Sequence, residues 1–300
     1  MTQSVGFIGL GAMGHEMARL LAESGRSVTA YDADGDARQR AAALPGIAAA
    51  ATAAEVAGAV DVLFTCLPND AVVRAVYLDG GGVAEHVRQG LISLDCSTVS
   101  PGVTRDVAGA LRSRGASHLD ASMLGSVPQA KTGTIGFVVG GERAAFDAVL
   151  PLLDVLGRMV TYVGPSGTAN QVKLIHQTLV AGHAAAVAEA LSLCIASGTD
   201  LDVFYDIVCN GGGFAYSRYF EQRTPRMRDG EFSPLFMLDL MAKDAGLAQE
   251  LARTVGAPTP VLDAVLDVFR AAQQDGSGRE DFSAVAHRYE KAIGAAFKDH

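Results

Sequence analysis

The sequence predicts an α/β protein. A doubly wound, Rossmann-type parallel sheet spans residues 1–164, and an all-α domain spans residues 165–300, beginning with a long interdomain helix. Three observations predict it. Short apolar, mostly β-branched runs alternate with helical patterns up to about Val163, a glycine-rich turn follows the first run, and no convincing strand pattern occurs after Gly164.

Taken in order, the strand-like runs are Val5–Ile8, Val28–Tyr31, Val62–Leu67, Leu91–Asp95, Ser117–Asp120, Thr134–Val139 and Val160–Val163, each bounded by Gly, Asp or Ser. Between them, Ala12–Ser24, Asp70–Leu78, Pro101–Arg114 and Glu142–Leu156 have helical spacing, the alternation expected of parallel strands joined by right-handed crossovers. Gly164-Pro165-Ser166-Gly167 then opens Thr168–Ser197, a proline-free, Ala/Leu/Val-rich helical run of about 45 Å at 1.5 Å per residue. It carries few charges over His176–Ala188, which predicts burial on most sides, within the domain or against a second subunit. Leu201–Cys209, a Gly211-Gly212-Gly213 break, Leu235–Thr254, Pro260–Gln273 and Phe282–Phe297 complete a helical second domain.

Composition narrows the function. A chain of 300 residues with 49% hydrophobic and 19% charged residues has the makings of two folded domains. Lys plus Arg is 24 against 33 Asp plus Glu, a net charge of −9, so the surface repels phosphate backbones and no nucleic-acid partner is expected. Cys66, Cys96, Cys194 and Cys209 form no CxxC pair and have no zinc spacing, and no secretory leader pattern opens the chain, so a cytoplasmic location is expected and no metal site. Uncharged stretches such as Ala41–Ala54 fall short of the ~20 apolar residues of a spanning helix, so no membrane segment is expected.

The glycine-rich turn is Gly9-Leu10-Gly11-Ala12-Met13-Gly14, a GxGxxG between a strand and a helix, with Asp32 ending the next strand 23 residues after Gly9. Gly9 permits the tight turn, Gly11 leaves no side chain where a pyrophosphate approaches, and Gly14 lets the helix pack closely on the strand. The pyrophosphate itself is favoured by the unpaired N–H groups and dipole of the helix N-terminus. Asp32 suits the ribose hydroxyls and repels a 2′-phosphate, and Ala33-Asp34-Gly35-Asp36 brings no cation, so NAD is expected over NADP. A turn without a ligand and a methyltransferase-type nucleotide site are the alternatives. Two later strand ends, Cys66-Leu67-Pro68-Asn69 and Asp95-Cys96-Ser97-Thr98, are expected at the same crevice, unless they are ordinary turns capped by Asn69 and Ser100.

Near the start of the long helix, Asn170, Lys173, His176 and Gln177 are polar in an apolar run and are expected to line one face toward the nucleotide, with Asn170, His176 and Gln177 as candidate substrate contacts. Lys173 is the only Lys, Arg, Asp or Glu between Arg158 and Glu189. A lysine in apolar surroundings loses solvation, which favours its neutral form, so Lys173 is the candidate general acid/base; the bland alternative is a lysine that reaches solvent. Motifs of serine hydrolases (GxSxG), zincins (HExxH), P-loop enzymes (GxxxxGK[ST]) and penicillin-binding proteins (SxxK) are missing from the sequence, which leaves hydride transfer.

The chain resembles the β-hydroxyacid dehydrogenases, relatives of 3-hydroxyisobutyrate dehydrogenase, tartronate semialdehyde reductase and 6-phosphogluconate dehydrogenase, over nearly its whole length. The likeness rests on Gly6–Gly14 for the cofactor signature, Asp95–Pro101 for a DxSTxxP segment, Gly164–Gln177 for the catalytic-helix motif and Lys243-Asp244 for a late KD pair. It implies reversible oxidation of a small β-hydroxy acid with Lys173 as general acid/base, cofactor contacts from Thr98 and Lys243, and a homodimer or homotetramer. His176-Gln177, where many members carry Asn-Asn or Asn-Gln, is similar to L-threonate dehydrogenase-like members and makes a polyhydroxylated acid such as a threonate a candidate. In Asp120-Ala121-Ser122-Met123-Leu124-Gly125-Ser126 the family's substrate-anchoring serine falls on Leu124, leaving the Gly125 N–H and the Ser122 or Ser126 hydroxyl as candidate substrate contacts. Phe214, Tyr216 and Arg218 are further candidates to shape the pocket, the alternative being core aromatics after a glycine break. Imine or other carbonyl reduction and a non-catalytic dinucleotide-binding role are the rival functions.

Overall fold

The computed structural model describes residues 3–300. In chain order the first half contains β1 (Val5–Ile8), α1 (Ala12–Glu23), β2 (Val28–Tyr31), α2 (Gly35–Ala42), β3 (Ile47–Ala49), α3 (Ala53–Ala59) and β4 (Val62–Thr65). It continues through α4 (Asp70–Tyr77), α5 (Val83–His86), β5 (Ile92–Asp95), α6 (Pro101–Arg112), β6 (Ser117–Leu124), α7 (Val127–Thr132), β7 (Ile135–Gly140), α8 (Arg143–Leu156) and β8 (Gly157–Gly164). The rest is helical: α9 (Thr168–Ala196), α10 (Leu201–Asn210), α11 (Arg218–Arg228), α12 (Leu238–Val255), α13 (Pro260–Gln274) and α14 (Ala286–Ile293), with short 3-10 turns near the C-terminus.

The eight strands form one sheet in the order β3-β2-β1-β4-β5-β6-β7-β8. Strand order reverses at β1 and β4, which places a crevice outside their carboxyl ends. β1 and β4 are buried along their whole length, as apolar runs covered on both faces must be. One apolar layer packs Met17, Leu21, Phe146 and Leu153 against Phe7, Phe64 and Phe137; the layer on the other face joins Leu63, Val73, Tyr77, Val103 and Leu111. Local chemistry sets the helix starts: Asn69 Oδ1 accepts from Val72 N at 3.0 Å to cap α4, and Ser100 followed by Pro101 opens α6.

The sheet departs from the expected all-parallel one. β6 and β7 run antiparallel, with Asp120 opposite Gly140 and Leu124 opposite Gly136, because only the six residues of α7 and a short loop join them, too little for a parallel crossover. The alanine-rich Ala41–Ala59, for which the sequence suggests no strand or helix, holds the edge strand β3 and the helix α3; Thr52 caps the start of α3, its Oγ1 accepting from Glu55 N at 3.1 Å.

By packing, the chain divides into a unit that ends at Lys173 and a helical unit from Leu174 to His300. This packing division falls inside α9, because the start of that helix is hydrogen-bonded to Asp120 of the sheet. The core of the second unit gathers Ala181, Ala184, Ala188 and Leu191 of α9 with Met241 and Ala245 of α12 and Leu266 and Phe269 of α13. Among the described residues, α9 is the one helix long and apolar enough to cross a membrane, a length-and-composition test that the uncharged-stretch reading passed over; half of its most apolar window is buried inside the protein. Ile175, Leu179 and Leu193 on α9 stay exposed, so burial on most sides is not what this chain alone provides.

Candidate functional site

At the end of β1 the chain turns through Gly9 at φ +94°, and a Cβ there would lie 2.2 Å from the Cys66 carbonyl oxygen. A Cβ on Gly14 would lie 1.9 Å from the Gly9 carbonyl oxygen, so α1 can reach the strand only with bare backbone at both positions. Gly11 is different. It is exposed, a Cβ on it would meet nothing within 4 Å, and as the N-cap of α1 it brings no capping side chain to the helix N–H groups. An open, uncapped helix start behind two tightly packed glycines fits a dinucleotide pyrophosphate.

Asp32, at the end of β2, accepts from Leu10 N at 2.6 Å through Oδ2 and from Asp34 N at 2.8 Å through Oδ1. These bonds aim its carboxylate at the glycine turn and leave each oxygen a further lone pair for a ribose hydroxyl. A cation does come near: α2 carries Arg38 back so that its guanidinium donates to the Asp32 and Ala33 carbonyls, at 2.5 and 3.4 Å, and lies 5.5 Å from the centre of the Tyr31 ring. Arg38 stands six residues beyond Asp32, in the first turn of α2.

The two later strand ends meet. Leu67 N donates to Ser97 Oγ at 2.8 Å, and Ser97 in turn donates from N and Oγ to Asp95 Oδ1. Thr65 Oγ1 also donates to Asp95, at 2.8 Å, and touches Tyr77 Oη at 3.0 Å; Ser93 and His118 extend the network inward. Burial raises the Asp95 carboxyl above its ordinary range despite the hydrogen bonds from Ser97 and Thr65, and lowers His118 to about 3. Leu67 and Thr98 are half-buried and Pro68 is exposed at this edge. The caps expected of Asn69 and Ser100 are present as well.

The residues singled out on α9 separate. Lys173 is 8% exposed and Gln177 3%, but His176 is exposed, since at ~100° per residue it stands ~120° around the helix from Asn170. Its Nδ1 lies 3.2 Å from Gln177 Oε1. Asn170, expected among the substrate contacts, is fully buried and turned inward: Oδ1 accepts from Val99 N at 3.2 Å and from Ser122 Oγ at 3.4 Å, and Nδ2 donates to Thr104 Oγ1 at 3.1 Å. Ser122 is likewise fully buried, because strand alternation points it at that carboxamide. Ser126 N and Oγ both donate to Gln129 Oε1, closing α7. Leu124 is half-buried against Gly136, and Gly125 is exposed at φ +146°.

In the second unit, Gln177 Nε2 donates to the buried Asp244 at 2.7 Å, and Lys243 Nζ pairs with the other oxygen of Asp244 at 3.0 Å. Asp244 thus orients both residues, a role its adjacency to Lys243 alone does not reveal. Phe214 and Tyr216 are exposed rather than core aromatics, and Arg218 begins α11; the buried ring after the glycine break is Phe220. A separate cavity of about 730 Å³, bordered by Phe232, Arg279, Glu280 and His287, contains none of the residues singled out from the sequence.

Comparison with known proteins agrees with this geometry. Residues 4–164 match the NAD binding domain of 6-phosphogluconate dehydrogenase, and residues 167–289 match the NAD-binding family of NADP-dependent 3-hydroxyisobutyrate dehydrogenase. The chain is 34% identical to 2-(hydroxymethyl)glutarate dehydrogenase of Eubacterium barkeri, over 97% of this chain and 96% of that one. It is 32% identical to L-threonate dehydrogenase of Escherichia coli O6:H1, over 94% and 93%. The crystal structure of 3-hydroxyisobutyrate dehydrogenase from Salmonella typhimurium superposes with a TM-score of 0.85 at 35% identity, covering 95% of this chain and 99% of that one. With the glycine turn, the Asp32 carboxylate and both halves of the chain matched, the protein belongs to the β-hydroxyacid dehydrogenase family and binds a nicotinamide dinucleotide.

Proposed function

We propose that this protein is an NAD-dependent dehydrogenase of a small β-hydroxy acid, with Lys173 as its general acid/base. The observation that carries the reading is the burial of Lys173 at 8% exposure, one turn beyond the hydrogen-bonded start of α9. When bound, the nicotinamide supplies the hydride acceptor. In the oxidative direction the neutral amine of Lys173 takes the substrate hydroxyl proton as the carbon–oxygen bond becomes a carbonyl, and in reduction the ammonium returns it. Such proton transfer is worth ~10²- to 10⁴-fold in rate. Gly9, Leu10, Gly11, Ala12, Met13, Gly14, Asp32, Leu67, Pro68, Thr98 and Lys243 are the proposed cofactor contacts. Leu124, Gly125, Ser126, His176 and Gln177 are proposed around the substrate. The Asp32 carboxylate favours NAD over NADP, even with Arg38 near it, because that guanidinium is already committed to two carbonyls.

The relatives' substrates, 2-(hydroxymethyl)glutarate, 3-hydroxyisobutyrate and L-threonate, all place a hydroxyl close to a carboxylate. The assay therefore follows NADH formation across β-hydroxy acids that include 3-hydroxyisobutyrate, glycerate, serine and both threonates, with NAD⁺ and with NADP⁺. At least one acid is expected to turn over, NAD⁺ to be preferred, and Lys173→Ala to lose about 10²-fold or more in kcat. Equal turnover by Lys173→Ala sinks the lysine, and preference for NADP⁺ sinks the Asp32 argument. The reading extends to a cytoplasmic homo-oligomer, supported by the exposed Ile175, Leu179 and Leu193 of α9; a monomeric mass in sedimentation contradicts the oligomer.

A further inference from the structure

The start of α9 is held by two side chains that no ligand needs to touch. Asp120, fully buried on β6, accepts from Gly167 N at 2.9 Å through Oδ1 and from Asn170 N at 3.0 Å through Oδ2, so a strand 47 residues upstream supplies the helix cap. The approach is possible only because Gly140, opposite Asp120 in the sheet, has no side chain. A Cβ there would lie 2.8 Å from Asp120 Oδ1, 3.0 Å from the Pro165 carbonyl oxygen and 3.1 Å from Ala169 N.

Asn170 completes the arrangement, with three of the four hydrogen-bonding capacities of its carboxamide in use. Val99 N belongs to the turn that carries Thr98, Thr104 belongs to α6, and Ser122 stands two residues before Leu124 on the same side of β6. Lys173 follows Asn170 by three residues, ~4.5 Å along the helix and ~60° around it. One carboxamide thus ties the turn beside the cofactor, the strand that leads into Leu124–Gly125 and the helix that carries Lys173.

We propose that Asn170, seated by Asp120, is a positioning residue for Lys173: it sets the lysine amine against the Leu124–Gly125 segment and does not itself contact the substrate. The proposal rests on the reading of Lys173 as acid/base. A displacement of ~1 Å at a reacting group can cost ~10²-fold in rate, so the cluster acts on turnover more than on binding.

The test compares wild type, Asn170→Ala, Thr104→Val, Ser122→Ala and Lys173→Ala, using the hydroxy acid from the panel that wild type turns over fastest. Four quantities are read: kcat, KM, the solvent deuterium isotope effect on kcat, and NADH affinity by fluorescence, with thermal melts to verify folding. Asn170→Ala is expected to bind NADH within about threefold of wild type, to lose about 10²-fold in kcat and to show a larger solvent isotope effect, because proton transfer to a displaced amine becomes slow. Thr104→Val and Ser122→Ala are expected to lose about three- to tenfold each in kcat, with NADH affinity kept. A purely structural role would lower the melting temperature while leaving kcat of the folded enzyme and its isotope effect unchanged, and that result overturns the proposal. So does a loss of NADH affinity in Asn170→Ala that matches its loss of kcat. If Asn170→Ala does not fold, the two milder variants decide: lowered kcat with intact NADH affinity supports the proposal, and wild-type kcat in both overturns it. Wild-type turnover by Lys173→Ala removes the underlying reading as well. An inactive Lys173→Ala beside an Asn170→Ala of wild-type rate removes this proposal alone.

Discussion

The turn after β1 and the start of α9 reach similar ends by opposite means. Around Gly9 and Gly14 the shape comes from the omission of side chains, and the tightest contact at each is with a backbone carbonyl oxygen, that of Cys66 at Gly9 and that of Gly9 at Gly14. At the start of α9 the shape comes from side chains, and the bonds span 47 to 71 residues. A site built by omission is local and shows in the order of residues; a site built by partnership shows only when distant segments are brought together. Both are rigid, and they fail differently.

The largest expected effect breaks the omission. Gly14→Val pushes branched carbons into the space where a Cβ already lies 1.9 Å from the Gly9 carbonyl oxygen and 2.9 Å from the Phe7 ring. It should lower the melting temperature by about 5 °C or more and weaken NADH binding at least ~10²-fold in a fluorescence titration. Gly11→Ala makes the contrast, since its Cβ meets nothing within 4 Å. Its melting temperature should stay within about 2 °C of wild type while NADH affinity falls about tenfold, the methyl group standing at the proposed pyrophosphate site. An unchanged affinity would place the cofactor elsewhere.

The smallest expected effect probes the side-chain network. His118 is 3% exposed, its Nε2 has no hydrogen-bond partner, and burial lowers it to about 3. Unfolded, a histidine titrates at ~6.5, so between about 6.5 and 3 the unfolded chain binds a proton that the folded one refuses. His118 therefore contributes stability above pH ~6.5 that is lost as the pH falls toward 3. Burial raises Asp95 and Asp120, which work in the opposite sense as the pH rises, so the comparison is with His118→Leu, where those carboxyls remain. The melting-temperature advantage of wild type over His118→Leu should shrink by about 3–8 °C between pH 7 and pH 4. A constant difference would mean that the buried imidazole accepts a proton in the folded state.

The same contrast decides what was legible in the sequence. Gly9, Gly11, Gly14 and Asp32 declare themselves because a strand, a turn and a helix follow in order, and the apolar runs of β1, β2, β4 and β5 read as strands for the same local reason. The antiparallel pairing of β6 and β7 was not legible, since alternation in a strand carries no direction. β3 and α3 were hidden in Ala41–Ala59, where alanine gives little contrast between buried and exposed positions. Helical spacing put Asn170 and Lys173 on one side of α9, but it says nothing about what lies opposite. Asn170 and Ser122 thus read as substrate contacts although the fold spends them on each other. Arg38 fell just outside the four residues after Asp32 that the cofactor argument weighed.

The cap on α9 also bears on how the helix opens. A helix ordinarily frays from its first turn, where N–H groups lack partners. Here the amide hydrogens of Gly167 and Asn170 are bound to a carboxylate of β6, and that of Val99 to a side chain of α9. None of the three can exchange with solvent until the join between helix start and strand is undone, so the beginning of α9 inherits the opening free energy of the sheet. Breathing is left to its other end, where Leu193 is exposed and Gly198 follows, and the lysine stands on the segment of the helix that opens last.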